Sequence, residues 1–200
     1  MRADLEIIQN WIEPGSRVLD LGCGDGTLLD FLQRERQVTG MGLEINDNHI
    51  VTCMERGVAV VEQNLDIQGL GNFESGSFDV VLMTQALQAV RRPDHVLDEM
   101  MRVGREGIVT FPNFGYWRLR WDLMHKGRMP ESDTLPHKWY NTPNIHLCTF
   151  KDFEALCHRK ELRIVSRTVV DDLHRHRWSA RVWPNMFGQI AIYRVTRKES

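Results

Sequence analysis

Three glycines stand at alternate positions in the stretch 18–29, which reads VLDLGCGDGTLL. They follow a short apolar run, so a strand is expected to end where the glycines begin. A glycine-rich turn at that point lets backbone N–H groups approach a ligand at the carboxyl edge of a parallel sheet. The spacing of Gly22, Gly24 and Gly26 is G-x-G-x-G, whereas a dinucleotide fingerprint needs G-x-G-x-x-G and a phosphate-binding loop needs G-x-x-x-x-G-K. The turn therefore predicts a ligand site, but not a site for a pyrophosphate.

Two carboxylates near this turn indicate the kind of ligand. Asp20 comes just before the glycines, where its charge would repel a pyrophosphate and attract an amino group. Glu44 closes the second predicted strand about 20 residues further on, a position from which an acidic side chain accepts hydrogen bonds from a ribose. A nucleoside that carries an amino acid fits these two positions better than a dinucleotide does.

The segment after the fourth predicted strand carries no side chain that acts as a base at neutral pH. It reads TQALQ at positions 84–88, and methylation of an oxygen or an acidic carbon needs a base within hydrogen-bond reach of the acceptor. His146 and Tyr140 remain as candidates for that role, although a structural function explains each of them better. We therefore assign no catalytic residue from the sequence.

The cysteine and histidine spacings predict neither a disulfide framework nor a metal site. The four cysteines contain no C-x-x-C pair, so reduced thiols are the simplest interpretation, and Cys23 is explained as a small residue between two glycines. His174 and His176 lie beside Asp171 and Asp172, which leaves a metal cluster and a solvated charged loop as alternatives. The neighbouring arginines favour the loop, so no metal is expected.

The composition is that of an ordinary globular protein. With 200 residues, of which 42% are hydrophobic and 26% charged, the chain is long enough for one sizeable core, so we expect a single domain over residues 1–200. The net charge of −2 argues against a nucleic-acid partner, because such binding draws its affinity from clustered Lys and Arg. No segment approaches the roughly 18 apolar residues of a spanning helix, so we expect no membrane association and a cytoplasmic protein.

Strand and helix patterns alternate along most of the chain, and these elements must position the residues above. Apolar runs predict strands at 17–21, 38–44, 58–63, 78–83, 107–111, 162–170 and 189–196. Amphipathic segments predict helices at 4–11, 27–34, 49–56 and 149–159, and another that begins at Pro93. Such a βαβ series predicts an α/β fold with a mostly parallel seven-stranded sheet, an antiparallel last strand and helices on both faces.

An aromatic-rich insert at about 113–148 interrupts this alternation and contains three of the six tryptophans. Helical spacing in this insert relates four large apolar residues: Phe114, Trp117, Trp121 and Met124. Three interpretations stay open. The insert is a lid that shapes an acceptor pocket, an interface for a partner protein, or a helix that packs its aromatic stripe against the sheet.

The order of the polar motifs resembles that of the Rossmann-like S-adenosylmethionine-dependent methyltransferases. The shared features are DLGCGDG at 20–26, Glu44 after the second strand, NLD at 64–66 and FDVV at 78–81. The resemblance implies that this chain binds S-adenosylmethionine or S-adenosylhomocysteine. It places residues 20–24 along the methionine part, with Asp20, Gly22, Cys23 and Gly24 as contacts, and Glu44 and Ile45 beside the ribose. Leu65 and Asp66 would meet the adenine, and Gln85 would complete the site. The alternative is an inherited fold that no longer holds a ligand.

A narrower resemblance covers nearly the whole chain. The stretches 78–120 and 135–157, which read FDVVLMTQALQAVRRPDHVLDEMMRVGREGIVTFPNFGYWRLR and LPHKWYNTPNIHLCTFKDFEALC, are similar to the MetW family of bacterial methionine biosynthesis. This resemblance implies a protein that partners with and supports a MetX-type homoserine O-acyltransferase. An active S-adenosylmethionine-dependent methyltransferase acting on a small molecule is the alternative function.

Overall fold

Seven strands form one mixed sheet in the computed structural model, which describes residues 3–170 and 182–198. The strands are β1 (Arg17–Leu21), β2 (Thr39–Glu44), β3 (Ala59–Glu62), β4 (Phe78–Thr84), β5 (Gly104–Pro112), β6 (Leu162–Val170) and β7 (Ile190–Arg197). Their spatial order is β3-β2-β1-β4-β5-β7-β6. The first five strands pair in parallel, and β7 runs antiparallel to both β5 and β6. The predicted fold class is confirmed.

Helices cover both faces of this sheet because neighbouring strand residues point to opposite sides. The helices are α1 (Ala3–Trp11), α2 (Thr27–Arg36), α3 (Asp47–Glu55), α4 (Pro93–Val103), α5 (Trp117–Lys126), α6 (Phe150–Arg159) and the short α7 (Pro184–Phe187). Leu19 and Val81 belong to the apolar layer under α4 and α6, whereas Val18 and Val80 belong to the layer under α1, α2 and α3. The core is therefore two layers that sandwich the sheet.

The strand order reverses at β1, which lies between β2 and β4. At such a reversal the connections leave β1 and β4 toward opposite sides, and a crevice opens beyond the carboxyl ends of the strands. The glycine-rich turn follows β1 directly, so the fold places it at this crevice.

Strand β5 begins earlier than predicted, and helix α5 begins later than the helical spacing from Phe114 suggests. Strand β5 begins at Gly104, three residues before the predicted start, because α4 passes into it without a loop and Gly104 still donates its N–H to the Met100 carbonyl. The charged residue Glu106 tolerates this strand position because its carboxylate pairs with Arg194 of β7, with both N–O distances 2.8 Å. Helix α5 begins at Trp117 rather than near Phe114, since a turn precedes it in which the Asn113 side chain accepts the Gly115 N–H.

Two further expectations concern a possible metal cluster at the histidine pair and a membrane-spanning helix. The histidine pair at 174 and 176 lies outside the described residues. Within the two described ranges, no helix has the length and apolar character needed to cross a membrane.

Candidate functional site

A cleft of about 510 Å³ opens at the carboxyl ends of β1, β2 and β4. Its floor comes from the glycine-rich turn, one wall from the segments that follow β2 and β3, and the opposite wall from the segment after β4. Pro143 and Asn144 of the aromatic insert reach across to complete the lining. Seven of the predicted site residues line the cleft together: Gly22, Gly24, Glu44, Ile45, Leu65, Asp66 and Gln85.

The glycine-rich turn is held by hydrogen bonds that engage its own amides. Gly22 and Cys23 both donate their N–H groups to the Leu43 carbonyl, at 2.8 and 3.0 Å, and Gly26 donates to the Cys23 carbonyl. Gly24 donates to the Glu44 carboxylate at 2.8 Å. The turn therefore does not present these four N–H groups to a ligand, contrary to the sequence expectation. A phosphate-binding loop depends on free amides, so this finding independently argues against a pyrophosphate ligand.

Backbone conformation explains why the turn requires glycine. Gly22, Gly24 and Gly26 all have left-handed φ angles, of 71°, 57° and 76°. A side chain at Gly26 would also lie 2.9 Å from the Cys53 sulfur beneath it, whereas a side chain at Gly24 would meet no atom within 4 Å. Gly24 thus needs its left-handed conformation, and it lines the cleft with open space where a side chain would stand.

Glu44 links the turn to the start of α3. Its Oε2 accepts the Gly24 N–H, and its Oε1 accepts the N–H groups of Ile45 and Asn46 at 2.8 and 3.0 Å. His49 lies nearby, with Nδ1 3.8 Å from Oε2. A carboxylate has about four acceptor positions. Three are occupied by backbone, so Glu44 retains about one acceptor position with which to meet a hydroxyl in the cleft.

Asp20 and Cys23 do not line the cleft but lie beneath its floor. Asp20 is buried, and neither of its carboxylate oxygens has a hydrogen-bond partner within residues 3–170 and 182–198. Burial, with a further contribution from the charge of Glu44, raises the pKa of Asp20 to about 7. The predicted contact between Asp20 and a ligand amino group stays a prediction.

The Cys23 thiol has a packing role. It fills the space beside Gly42 of β2, and its sulfur lies 3.9 Å from that of Cys53. Burial raises the pKa of both thiols, which disfavours the reactive thiolate. All four cysteines are unpaired by disulfides, in agreement with the sequence interpretation.

Asp66 and Gln85 hold the rim of the cleft through backbone contacts. Asp66 is exposed, and its Oδ1 accepts the Arg91 N–H at 2.8 Å, which fixes the segment that follows β4. Gln85 has a left-handed φ of 57°, and its N–H is held by both the carbonyl and the hydroxyl of Thr110. A non-glycine residue in that conformation is uncommon and is stabilised here by its surroundings.

The two candidates for proton transfer, His146 and Tyr140, do not line the cleft. His146 lines a separate cavity of about 170 Å³, and its Nε2 is 3.2 Å from the Arg91 carbonyl. Tyr140 lines a third cavity of about 330 Å³ in the insert. The ionisable side chains that line the cleft itself are Glu44, His49 and Asp66.

Sequence reasoning missed several lining residues. His49 follows the Asn46 cap of α3, whose side chain accepts the N–H groups of Asn48 and His49. That cap is recognisable in sequence and would have placed His49 in the first turn beside Glu44. Asn144 offered no such signal, because only the folding of the insert brings it to the cleft. Among the described residues, no group of His, Cys, Asp and Glu side chains is arranged to hold a metal ion.

Comparison with solved structures shows the methyltransferase fold. An S-adenosylmethionine-dependent methyltransferase from Mesorhizobium loti superimposes with a TM-score of 0.70 over 98% of each chain, at 14% sequence identity. At that identity the likeness concerns architecture and not activity.

Curated relatives share more sequence. The chain is 33% identical over 102 residues to a ubiquinone biosynthesis O-methyltransferase from Hahella chejuensis, a match that covers 49% of this chain and 42% of that protein. It is 36% identical over 165 residues to the bifunctional methionine biosynthesis protein MetXA/MetW of Rhodopirellula baltica, which covers 78% of this chain and 26% of that protein. The chain thus spans less than half the length of either relative.

A family model described as "Methionine biosynthesis protein MetW" matches residues 2–195. The two stretches that suggested this family in the sequence form the β4–α4–β5 unit with the start of α5, and the second half of the insert with most of α6. The match extends over almost the entire chain and includes the glycine-rich turn, the cleft and the insert. The protein therefore belongs to the MetW family of methionine biosynthesis proteins.

Proposed function

We propose that this protein is a ligand-binding partner of a MetX-type homoserine O-acyltransferase, that it supports that enzyme's acyl transfer, and that the two act together in the cytoplasm. The observation that carries the proposal is the Rhodopirellula baltica relative, in which a MetW region and a MetXA region form one bifunctional protein. Covalent linkage holds two domains at a high effective concentration. We propose that this chain reaches the same proximity to the acyltransferase through a binding surface.

The ligand that we propose for the cleft is S-adenosylmethionine or S-adenosylhomocysteine. A volume of about 510 Å³ lies within the range of small-molecule sites, roughly 300–1,000 Å³. The open space above Gly24 admits a ligand close to the backbone, and the occupied amides of the turn suit a ligand without phosphates. The buried, unpartnered carboxyl of Asp20 beneath the floor favours a ligand with a positively charged group.

Residues of this chain would hold such a ligand in the following way. Glu44 would accept a hydrogen bond from a ribose hydroxyl with its remaining acceptor position, and Leu65 and Asp66 would border the adenine. Gly22 and Gly24 would pass beside the amino-acid part, with Ile45 and Gln85 on the walls. When bound, S-adenosylmethionine supplies an electrophilic methyl group; this chain's residues bind it, orient it and cover it from one side with Pro143 and Asn144.

A second candidate function is methyl transfer to a small molecule. It is supported by the similarity of about half the chain to ubiquinone biosynthesis O-methyltransferases. Among the ionisable groups that line the cleft, Glu44 and Asp66 already accept backbone N–H groups, which leaves His49 as the candidate base. Its side chain is about half exposed, so an acceptor at the mouth of the cleft would reach it.

Two binding measurements on the full chain test the proposal. Titration calorimetry with S-adenosylmethionine and S-adenosylhomocysteine should show saturable binding of at least one of them. Sedimentation velocity with the purified acyltransferase of the same organism should show a complex. If neither nucleoside binds, the ligand part of the proposal is wrong. If the two proteins sediment independently even at high micromolar concentrations of both, the partner part is wrong.

A further inference from the structure

Helix α5 has two apolar sides, and only one of them packs against the rest of the protein. Leu119 is buried, and the neighbouring Arg120 anchors the helix by donating to the Gly115 and Asn185 carbonyls. On the side opposite Leu119 lie Trp117, Trp121 and Met124, which follow the i, i+4, i+7 spacing of one helical face. We call these three residues the aromatic face of α5.

The aromatic face is exposed to solvent. The exposed fractions of Trp117, Trp121 and Met124 are 40%, 55% and 69%. Of the alternatives left open by the sequence, packing against the sheet is therefore wrong for these three residues, whereas Phe114, the fourth residue of the predicted stripe, is half-buried. The three residues line none of the three cavities described above.

The chemistry of the face is that of a protein interface. A single exposed apolar residue is normal on a protein surface, but two tryptophans and a methionine on one helical face form a contiguous patch. Trp is among the residues most often found to dominate binding energy, and Met is enriched at interfaces. Apolar anchors at i, i+4 and i+7 are those of a helix that binds in a groove of a partner.

We infer that the aromatic face of α5 is the surface by which this chain binds the MetX-type acyltransferase, in an apolar groove of that enzyme. The inference rests on the proposed function. The bifunctional relative supports the acyltransferase as the occupant, because a MetW region that shares a polypeptide with MetXA has that domain available to cover the patch. The insert that carries α5 also contributes Pro143 and Asn144 to the cleft, so this docking surface and the ligand site belong to one continuous segment.

The experiment compares full-length variants by their affinity for the purified acyltransferase of the same organism, measured by biolayer interferometry. Trp121→Ala should raise the Kd roughly tenfold or more, because it removes a central aromatic anchor. Met124→Ala should raise the Kd by a smaller factor. Met54→Ala is the matched control, since Met54 is 68% exposed and belongs to a different helix, α3; its Kd should stay within about twofold of the parent value.

Thermal melting and circular dichroism establish that each variant is folded, and Trp121→Gln replaces Trp121→Ala if the latter does not fold. Unchanged affinity in both α5 variants, with a parent chain that binds, would overturn the surface while leaving the proposed function intact. A parent chain that does not bind at all would overturn the proposed function and this inference with it. Self-association of the parent chain that Trp121→Ala abolishes, and that the acyltransferase does not compete with, would assign the face to a second copy and likewise overturn the inference.

Discussion

Asp20 has an environment that a carboxylate does not prefer. Its carboxyl is buried beneath the glycine-rich turn without a hydrogen-bond partner in the described part of the chain, and its pKa is raised from 3.8 to about 7. An acid with a raised pKa in the folded state contributes stability that is fully present below its unfolded pKa and lost as pH rises through its folded pKa. Between pH 4 and pH 7 Asp20 should therefore weaken the fold progressively.

Substitution of Asp20 by Asn should remove this penalty. We expect Asp20→Asn to be more stable than the parent at pH 8, by an amount on the order of 3–4 kcal/mol, and the difference to shrink toward zero near pH 4. Urea denaturation at several pH values measures it. Asp79→Asn is the control of opposite sign, because the Arg17 N–H holds the pKa of Asp79 below its usual range, so this variant should lose stability at pH 8. A pH-independent difference for Asp20→Asn would contradict the argument.

Glu44 combines two roles that one substitution should remove together. It organises the turn through three backbone N–H groups and also faces the cleft. Glu44→Ala should weaken S-adenosylhomocysteine binding roughly tenfold or more, because loss of a hydrogen bond to a charged group costs about 1.5–3 kcal/mol and the turn is also released. Calorimetry measures the change.

The control for Glu44 is a second glutamate at the same level of the sheet. Glu62 of β3 pairs directly with Glu44 of β2 in the strand register but is exposed and does not line the cleft. Glu62→Ala should leave the affinity unchanged. Equal losses in the two variants would show that general charge near the cleft, rather than the position of Glu44, governs binding.

At the scale of secondary structure, α6 illustrates an element whose start is specified locally. Thr149 accepts the Asp152 N–H while the Asp152 carboxylate accepts the Thr149 N–H at 2.9 Å, which forms a reciprocal capping box. This arrangement satisfies two groups that a helix N-terminus otherwise leaves unpaired. The sequence TFKD contains it, and the predicted helix at 149–159 matches α6 closely.

Removal of this cap should have a measurable cost. We expect Thr149→Ala to lower the free energy of unfolding by about 1 kcal/mol, as for other N-cap substitutions. Thr52→Ala is the matched control, because the Thr52 hydroxyl bonds to the Asn48 carbonyl within α3 and alanine is favourable in a helix interior. Chemical denaturation should show a loss in the first variant and little change in the second; equal changes in both would refute the capping argument.

Comparison of the predicted elements with the observed ones shows which features the sequence could predict. The glycine-rich turn, Glu44 and the strand series were recognisable because local spacing and hydrophobic pattern determine them. The exposure of Trp117 and Trp121 to solvent could not be predicted, because helical spacing identifies a face of the helix without indicating what covers that face. The occupied amides of the turn depend on Leu43 and Glu44 of a neighbouring strand, and the raised pKa of Asp20 depends on tertiary burial. Both are properties of the assembled sheet.

At the scale of the whole molecule, the insert connects the cleft with the aromatic face of α5. We expect ligand binding to reposition Pro143 and Asn144 together with the rest of the insert, so that the affinity for the acyltransferase changes. Coupling of about 1–3 kcal/mol would alter the Kd of the complex roughly 5- to 150-fold. Interferometry with and without saturating S-adenosylmethionine measures this coupling directly. Equal affinities under the two conditions would exclude it, whatever else the two proteins do together.

The most direct test of the central claim is the rate of homoserine acylation by the purified acyltransferase, alone and with increasing amounts of this chain. S-adenosylmethionine is present throughout, and S-adenosylhomocysteine formation is measured in the same samples. A partner that supports acyl transfer should raise the rate to a plateau as the complex saturates, without a matching stoichiometric formation of S-adenosylhomocysteine. An acylation rate that is the same at every concentration of this chain would contradict the account, and S-adenosylhomocysteine formation that depends on an added small molecule would favour the methyltransferase alternative.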